Sequence, residues 1–200
     1  MVRKEIPEQR KQQLIEAAFE AIRNVGLAGV TMSQVAKQAG MSTGLVSHYF
    51  GDKHGLLHAT MRKILRDLQL AVAECRQQAE GDPQSQLYAI IDGNFDPSQT
   101  NETSMRVWLD FWAASMHCDD LRRLQHINDH RLFSNICYQF ARVFPQQHAR
   151  SAARGLAAMI DGLWLRGSLT GNQFDVEKAR LIARDYVTQK LSTHSVEKAH

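Results

Sequence analysis

Cysteine is scarce: Cys75, Cys118 and Cys137 are the three in 200 residues, and no two form a CxxC pair. An odd, sparse set argues against a disulfide framework. It points to reduced thiols, a cytoplasmic location and, for each thiol, the role of a small apolar residue. Proline is confined to positions 7, 83, 97 and 145, which leaves long stretches free to be helical. No apolar run approaches the about 20 residues of a membrane span, and no N-terminal stretch has the form of a signal peptide. Apolar–polar alternation of period two is missing, so no sheet is expected. Internal repeats and low-complexity tracts are missing too. There is no G-x-S-x-G, no phosphate-binding loop and no acid pair in a recognisable frame, so neither an enzyme nor a cofactor site is expected. His126 and His130 stand four apart, a spacing that suits a metal, but Ile127 follows His126 and the HExxH pattern fails. With His117, Cys118, Asp119 and Asp120 they read as solvated helix ends or faces, and no metal is expected. A strong charge of one sign is also lacking. The formal net charge is +3, and residues 1–53, with seven Lys/Arg against five Asp/Glu, carry +2 of it. That is a weak lean toward a polyanionic partner, since solvated helix faces carry such charges routinely.

What the chain does have is a 44% hydrophobic share, enough for a substantial core, and one stretch that organises the rest. TMSQVAKQAGMSTGLVSHYFGDK, Thr31 to Lys53, reads as two short helices joined by a tight turn. Thr31 caps a first helix over 32–39, Gly40 supplies the turn, and Ser42 caps a second helix over 43–49. The inward positions are Val35, Ala36, Ala39, Met41, Val46 and Tyr49, with Ala36 small enough for close crossing of the pair. This is the helix-turn-helix pattern, whose second helix enters the DNA major groove. The plainer alternative is an ordinary helical hairpin in an all-α core.

Around it the periodicity predicts an all-α chain of about nine helices. Residues 1–7 read as a polar, mobile arm. A helix over 8–25 carries Leu14, Ala18, Ile22 and Val25 on one stripe, widened by Ile15 and Phe19, and Gly26 and Gly29 end it. A three-helix head over 1–51 results, with Phe50 closing its floor. Asp52 opens a long connecting helix to about residue 79, with Leu56, Leu57, Met61, Ile64, Leu65, Leu68 and Val72 as its apolar positions. The remaining helices are expected over 83–94, 99–117, 119–144, 146–170 and 175–191, forming a body over 52–200 with a frayed polar tail.

The segment GLAGVTMSQVAKQAGMSTGLVSHYFGDKHGLLHATM, Gly26–Met61, resembles the DNA-binding head of the tetracycline-repressor (TetR) family. The resemblance implies three head helices, a connecting fourth helix and a helical body that binds ligand and forms dimers. Ser42–Arg62, GNFD at Gly93–Asp96, WLDFWAASMH at Trp108–His117 and LAAMIDGLWLRGSLTG at Leu156–Gly171 are similar to the choline-responsive branch that represses glycine-betaine synthesis genes. The likeness covers nearly the whole chain, from about residue 10 to 190.

On that reading Thr43, Gly44, Leu45, Ser47 and His48 face the groove. Gly44 permits close approach, Leu45 touches thymine methyls, and the polar three hydrogen-bond bases or phosphates. The recognition helix carries no Arg or Asn, so specificity leans on apolar contacts, DNA shape and water. Thr31, Ser33, Ser42, Tyr49 and Lys53 are the expected phosphate contacts. The resemblance assigns a backbone clamp to the Tyr49 and Lys53 positions, while Tyr49 also suits pure packing. Relatives often carry a basic residue after Phe50; here it is Gly51, which puts one phosphate contact in doubt.

A single head buries little DNA surface, so a homodimer on a palindromic operator is expected, its recognition helices about 34 Å apart. Ala153, Leu156, Ala157 and Ile160, with Ile182 and Tyr186 of the last helix, are the expected dimer interface; an intramolecular core is the alternative use. The resemblance implies choline as effector. A quaternary ammonium is bound by aromatic faces and a counter-charge, which points to Asn94, Phe95, Trp108, Phe111, Trp112, Asp161 and Trp164. Asp92, Asp96 and Asp110 compete for the counter-charge, and the alternative is that the aromatics are core and Asp161 pairs with Arg166. The whole reads as a repressor of choline-to-glycine-betaine genes relieved by choline. An efflux-gene repressor sensing lipophilic cations and an all-α small-cation-binding protein without DNA binding are the other readings.

Overall fold

A computed structural model describes residues 2–170 and 174–197, with side chains described from Pro7 to Thr170 and Phe174 to Ser192. Ten helices and no strand occur among them: α1 (Val2–Gly29), α2 (Met32–Gln38), α3 (Thr43–Phe50), α4 (Lys53–Gln78), α5 (Pro83–Asn94), α6 (Pro97–Thr100), α7 (Glu102–Ser115), α8 (Asp119–Ala141), α9 (Gln146–Thr170) and α10 (Val176–Glu197). Nine follow the expected layout. The tenth, α6, is a single turn that Asp96 caps through Ser98 N, with Pro97 at its first position, where proline has no intrahelical donor to lose.

Three local expectations change. Helix α1 begins at Val2, so residues 2–7, read as a polar, mobile arm, are helical. Its backbone breaks at Gly26 (φ 72, ψ 165), the first of the two glycines expected to end it. Val25, placed on the inward stripe, is 46% exposed; beyond the break Leu27 and Val30 take its place in the core. At the other end α10 continues to Glu197, past the expected end at 191; residues 198–200 of the expected tail, like 171–173, lie outside the described residues.

The chain forms two compact units. One takes in the chain up to Arg66 together with Thr103–Gln125; the other takes in Asp67–Glu102 and the chain from His126. The division falls inside α4, after the first residue of α7 and inside α8. In the first unit Leu14, Ala18 and Ile22 of α1, Val35 and Ala36 of α2, Val46 of α3, and Leu56 and Met61 of α4 are almost wholly buried. Each large apolar side chain so placed contributes about 1.5–3 kcal/mol. In the second unit Leu87, Ile90 and Ile91 of α5, Leu156 and Ile160 of α9, and Ala183 and Val187 of α10 form the core.

Candidate nucleic-acid interface and effector residues

The α2–α3 corner is built by local hydrogen bonds. Thr31 and Gln34 form a capping box: Thr31 Oγ1 accepts from Gln34 N, and Gln34 Oε1 accepts from Thr31 N. At the other end Met41 N donates to Ala36 O at 2.9 Å and Gly40 N to Lys37 O at 3.2 Å, the paired bonds of a Schellman stop. This stop needs Gly40 at φ 65, a conformation that favours glycine. Ser42 Oγ then accepts from Leu45 N and starts α3. Val46 points inward at 0% exposure and fixes the rotation of α3. The opposite face therefore holds Thr43, Gly44, Ser47 and His48, all exposed, with Leu45 half-buried at its edge. The side chains of Ser33, Thr43 and Ser47 have no hydrogen-bond partner among the described residues, so their hydroxyls are open to one. A Cβ added at Gly44 would meet only Ser42 Oγ, at 3.9 Å. The fold does not require glycine there, and glycine inside a helix costs about 0.5–1 kcal/mol relative to alanine. Close approach by a partner is a use that fits this cost.

The expected phosphate contacts divide. Tyr49 is half-buried, with its ring edge-on to His48 at 5.5 Å; its hydroxyl has no hydrogen-bond partner among the described residues. Packing and phosphate contact are both open to it. Lys53 Nζ donates to Ala28 O at 2.7 Å, which ties α4 to the end of α1; an ammonium has three donors, so two remain. Thr31 Oγ1 is engaged on both sides by Gln34. Its hydroxyl is taken by the cap; Ser33, in the first turn of α2, is the freer hydroxyl of that helix end, while Ser42 caps α3 and keeps its hydroxyl hydrogen to donate. Gly51 adopts φ 76, ψ −78 with Asp52 N donating to Phe50 O at 3.0 Å, a γ-turn. A side chain at 51 would be strained, which accounts for glycine where a basic residue was looked for.

Of the expected effector residues, the first unit brings together Trp108, Phe111 and Trp112 on α7, with Trp108 5.8 Å from Phe111 and 6.2 Å from Trp112 between ring centroids. Trp108 and Phe111 are buried, and Trp112 is half-buried. Asn94, Phe95, Asp161 and Trp164 belong to the second unit. Phe95 is fully buried and packs on Phe174, Phe111 is fully buried, and Trp164 is buried on α9. The competing carboxylates are all occupied. Asp92 receives both oxygens' bonds from Arg184, Asp96 caps α6, and Asp110 accepts the backbone N–H of Leu27. Asp161 is exposed at its edge and has no hydrogen-bond donor or ion-pair partner among the described residues; the alternative pairing with Arg166 is absent there. Lost hydration, and secondarily the charge of Asp129, pushes its carboxyl up to about 6. A cation would relieve both.

Two sequence families match the chain. Residues 14–60 match the family described as bacterial regulatory proteins, tetR family, and residues 83–192 match the BetI-type transcriptional repressor C-terminal family. The chain belongs to the TetR family, in its BetI-type branch. The HTH-type transcriptional regulator BetI of Stenotrophomonas maltophilia is 59% identical over 191 residues, covering 96% of this chain and 97% of the relative. The regulator BetI 1 of Chromohalobacter salexigens is 55% identical over 183 residues, covering 92% and 91%. Among solved structures, a transcriptional regulator from Pseudomonas aeruginosa PAO1 superposes with a TM-score of 0.76 at 25% identity, covering 94% of each chain. A transcriptional regulator from Saccharomonospora viridis in complex with choline superposes with a TM-score of 0.77 at 23% identity, covering 90% of this chain and 96% of that one. The all-α TetR-like fold is thereby established, and the chain is a helix-turn-helix transcriptional repressor. An all-α binding protein without DNA binding does not agree with that membership. No described helix is long and apolar enough to cross a membrane.

Of the expected dimer residues, three lie in the chain's own core. Ala153, Leu156 and Ile160 are buried within the chain, because that stripe of α9 is the one the intramolecular core claims. Ala157 is half-buried. Tyr186 lies over Gly155 and donates to Ala152 O at 3.2 Å. Only Ile182, 39% exposed, is left facing out, and it is joined by Leu165, Leu169 and Leu181 at 39%, 73% and 59%. Sequence reasoning also missed Cys118, whose Sγ lies 3.3 Å from His54 Nε2. The two are far apart in the chain, and no local spacing signals the pair.

Proposed function

We propose that this repressor binds a palindromic operator as a homodimer, controls choline-to-glycine-betaine genes, and is released by choline. The observation that carries the DNA half is the outward face of α3, where unpartnered hydroxyls flank a glycine the fold does not need. Thr43, Gly44, Leu45, Ser47 and His48 read the groove. Ser33, Ser42, Tyr49 and Lys53, with the helix end at Thr31, hold phosphates. The dimer pairs two copies of α9 and α10 through the exposed Leu165, Leu169, Leu181 and Ile182, and the palindromic operator presents its two half-sites about one helical turn apart.

For the effector, the support is that the body itself, not only the head, matches the BetI-type family. In the first unit Trp112, at the edge of the α7 aromatic group, supplies a π-face worth about 0.5–2 kcal/mol to a quaternary ammonium. In the second unit Asp161, whose carboxylate has no ion-pair partner among the described residues, and Trp164 three residues on offer a quaternary ammonium a counter-charge and a ring, and Asn94 of that unit offers a polar group. A choline coupling of about 1–3 kcal/mol lowers operator affinity about 5–150-fold. The deciding experiment titrates the protein's own upstream intergenic DNA, fluorescently labelled, with and without millimolar choline, and with a bulky cationic dye in its place. Tight, salt-dependent binding weakened by choline and not by the dye supports the reading. Binding weakened by the dye alone transfers it to an efflux-type sensor. Trp112→Ala is expected to lose the choline response and keep operator binding.

A further inference from the structure

The second unit contains a cleft of about 250 Å³ between the later half of α4, α5 and the middle of α8. Its chemistry is the opposite of a cation site. No aromatic ring and no carboxylate lines it, while two arginines, Arg76 and Arg131, do. Arg76 is held in place by neutral amides: its Nε donates to Gln86 Oε1 at 3.1 Å and its Nη1 to Asn135 Oδ1 at 3.2 Å. Gln86 is anchored in turn by donating to the Arg76 and Glu80 carbonyls. Arg76 thus keeps its full charge, with a fork oriented in advance. Arg131, half-buried on α8, has no hydrogen-bond or ion-pair partner among the described residues, and neither has the Asn128 amide one turn before it.

The rest of the cleft is apolar, with Val72 and Ile90 buried behind it and Leu68 and Leu132 at its sides. The close approach of α4 and α5 that sets Val72 beside Ile90 depends on Gly93, where a Cβ would fall 2.4 Å from Val72 Cα. Two uncompensated guanidinium groups over an apolar floor repel a cation and attract an oxyanion carrying a short hydrocarbon tail. The fork geometry of arginine matches the two oxygens of a carboxylate. A cleft of about 250 Å³ sits just under the about 300–1,000 Å³ of sites for drug-sized ligands, so the ligand is small.

We infer that this cleft binds a short aliphatic carboxylate, received by Arg131 and Asn128 with Arg76 behind them. It is an effector-class site with selectivity opposite to that proposed for choline; Asn94, which also lines it, is the one residue the two readings share. The test is calorimetric titration of the full-length protein with sodium hexanoate, hexylammonium chloride and sodium hexyl phosphate at matched ionic strength, repeated on Arg131→Gln and Arg131→Lys with melting curves confirming that both are folded. Hexanoate is expected to bind and hexylammonium not to bind. Hexyl phosphate is expected to bind more weakly than hexanoate. Arg131→Gln loses about tenfold or more in hexanoate affinity, the scale of one charge-assisted hydrogen bond, and Arg131→Lys recovers only part of it. Equal binding of the ammonium, tighter binding of the phosphate, no hexanoate binding to the folded parent, or unchanged affinity in Arg131→Gln each overturns the inference. None of these outcomes bears on the choline response, which is read from operator binding.

Discussion

The carboxylate of Asp110 accepts the backbone N–H of Leu27 at 2.7 Å, although the two residues are 83 positions apart. The acceptor sits on α7 between Trp108 and Trp112; the donor follows the break in α1 at Gly26. Arg106, a turn before Asp110, adds a second link by donating to Arg23 O. The helix carrying the aromatic group is thereby fastened to the first helix of the DNA-binding head. Asp110→Ala leaves a part-buried N–H without its acceptor and is expected to lower unfolding free energy by about 1.5–3 kcal/mol, read from urea denaturation. Asp110→Asn keeps an acceptor and should lose less. Equal losses in the two variants would show that the bond to Leu27 is not what matters there.

Gly44→Ala separates folding from recognition. With Ser42 Oγ, at 3.9 Å, the nearest atom to the added Cβ beyond its chain neighbours and the helix's own backbone, the substitution is expected to stabilise the protein by about 0.5–1 kcal/mol through helix propensity. Operator affinity should fall, because the methyl occupies the space through which α3 approaches the groove. A melting curve and a fluorescence titration on the same preparation read both. A variant that gains stability and keeps full affinity removes close approach as the reason for this glycine.

Asp161 makes stability depend on pH. Its folded carboxyl, at about 6, lies above that of an unfolded aspartate, so the folded chain holds more protons between the two values. The ionised form therefore carries a stability cost at neutral pH that fades as pH falls through about 6. Asp161→Asn should raise the melting temperature at pH 8 more than at pH 5. Should Asp161 face choline, the response weakens over the same window, since protonation removes the counter-charge. A pH-independent difference in melting temperature would contradict the titration.

Cys118 should be the reactive thiol. The backbone N–H of Leu121 first, and His54 second, hold it below the ordinary thiol range, and the same contact with Cys118 raises His54. Burial instead pushes Cys75 up. Alkylation by iodoacetamide follows the thiolate, so its rate at Cys118 should reach half-maximum at a lower pH than at Cys75, as read by peptide mass spectrometry. His54→Ala should move the Cys118 profile upward; if it does not move, the imidazole is a bystander.

The sequence alone was enough wherever physics acts within a few residues. Thr31 with Gln34, Gly40, Ser42, and proline at 83 declare helix starts and stops through bonds spanning three to five positions. The apolar spacing of α1 to α4 marks the head's buried face, so the helix-turn-helix and its outward residues are legible in the order of residues. Tertiary structure decided what depends on which surface is already occupied. Helix α9 is apolar on more than one side, and its spacing does not say that Leu156 and Ile160 turn into the chain while Leu165 and Leu169 turn out. Composition does not say that Phe95 and Phe111 are sealed in the core, or that Asp92, Asp96 and Asp110 have partners among the described residues and Asp161 has none there. The cleft of Arg76 and Arg131 has no signature at all in the order of residues. A charge becomes available to a ligand only through what the fold leaves unpaired beside it, and that is set by contacts between distant parts of the chain.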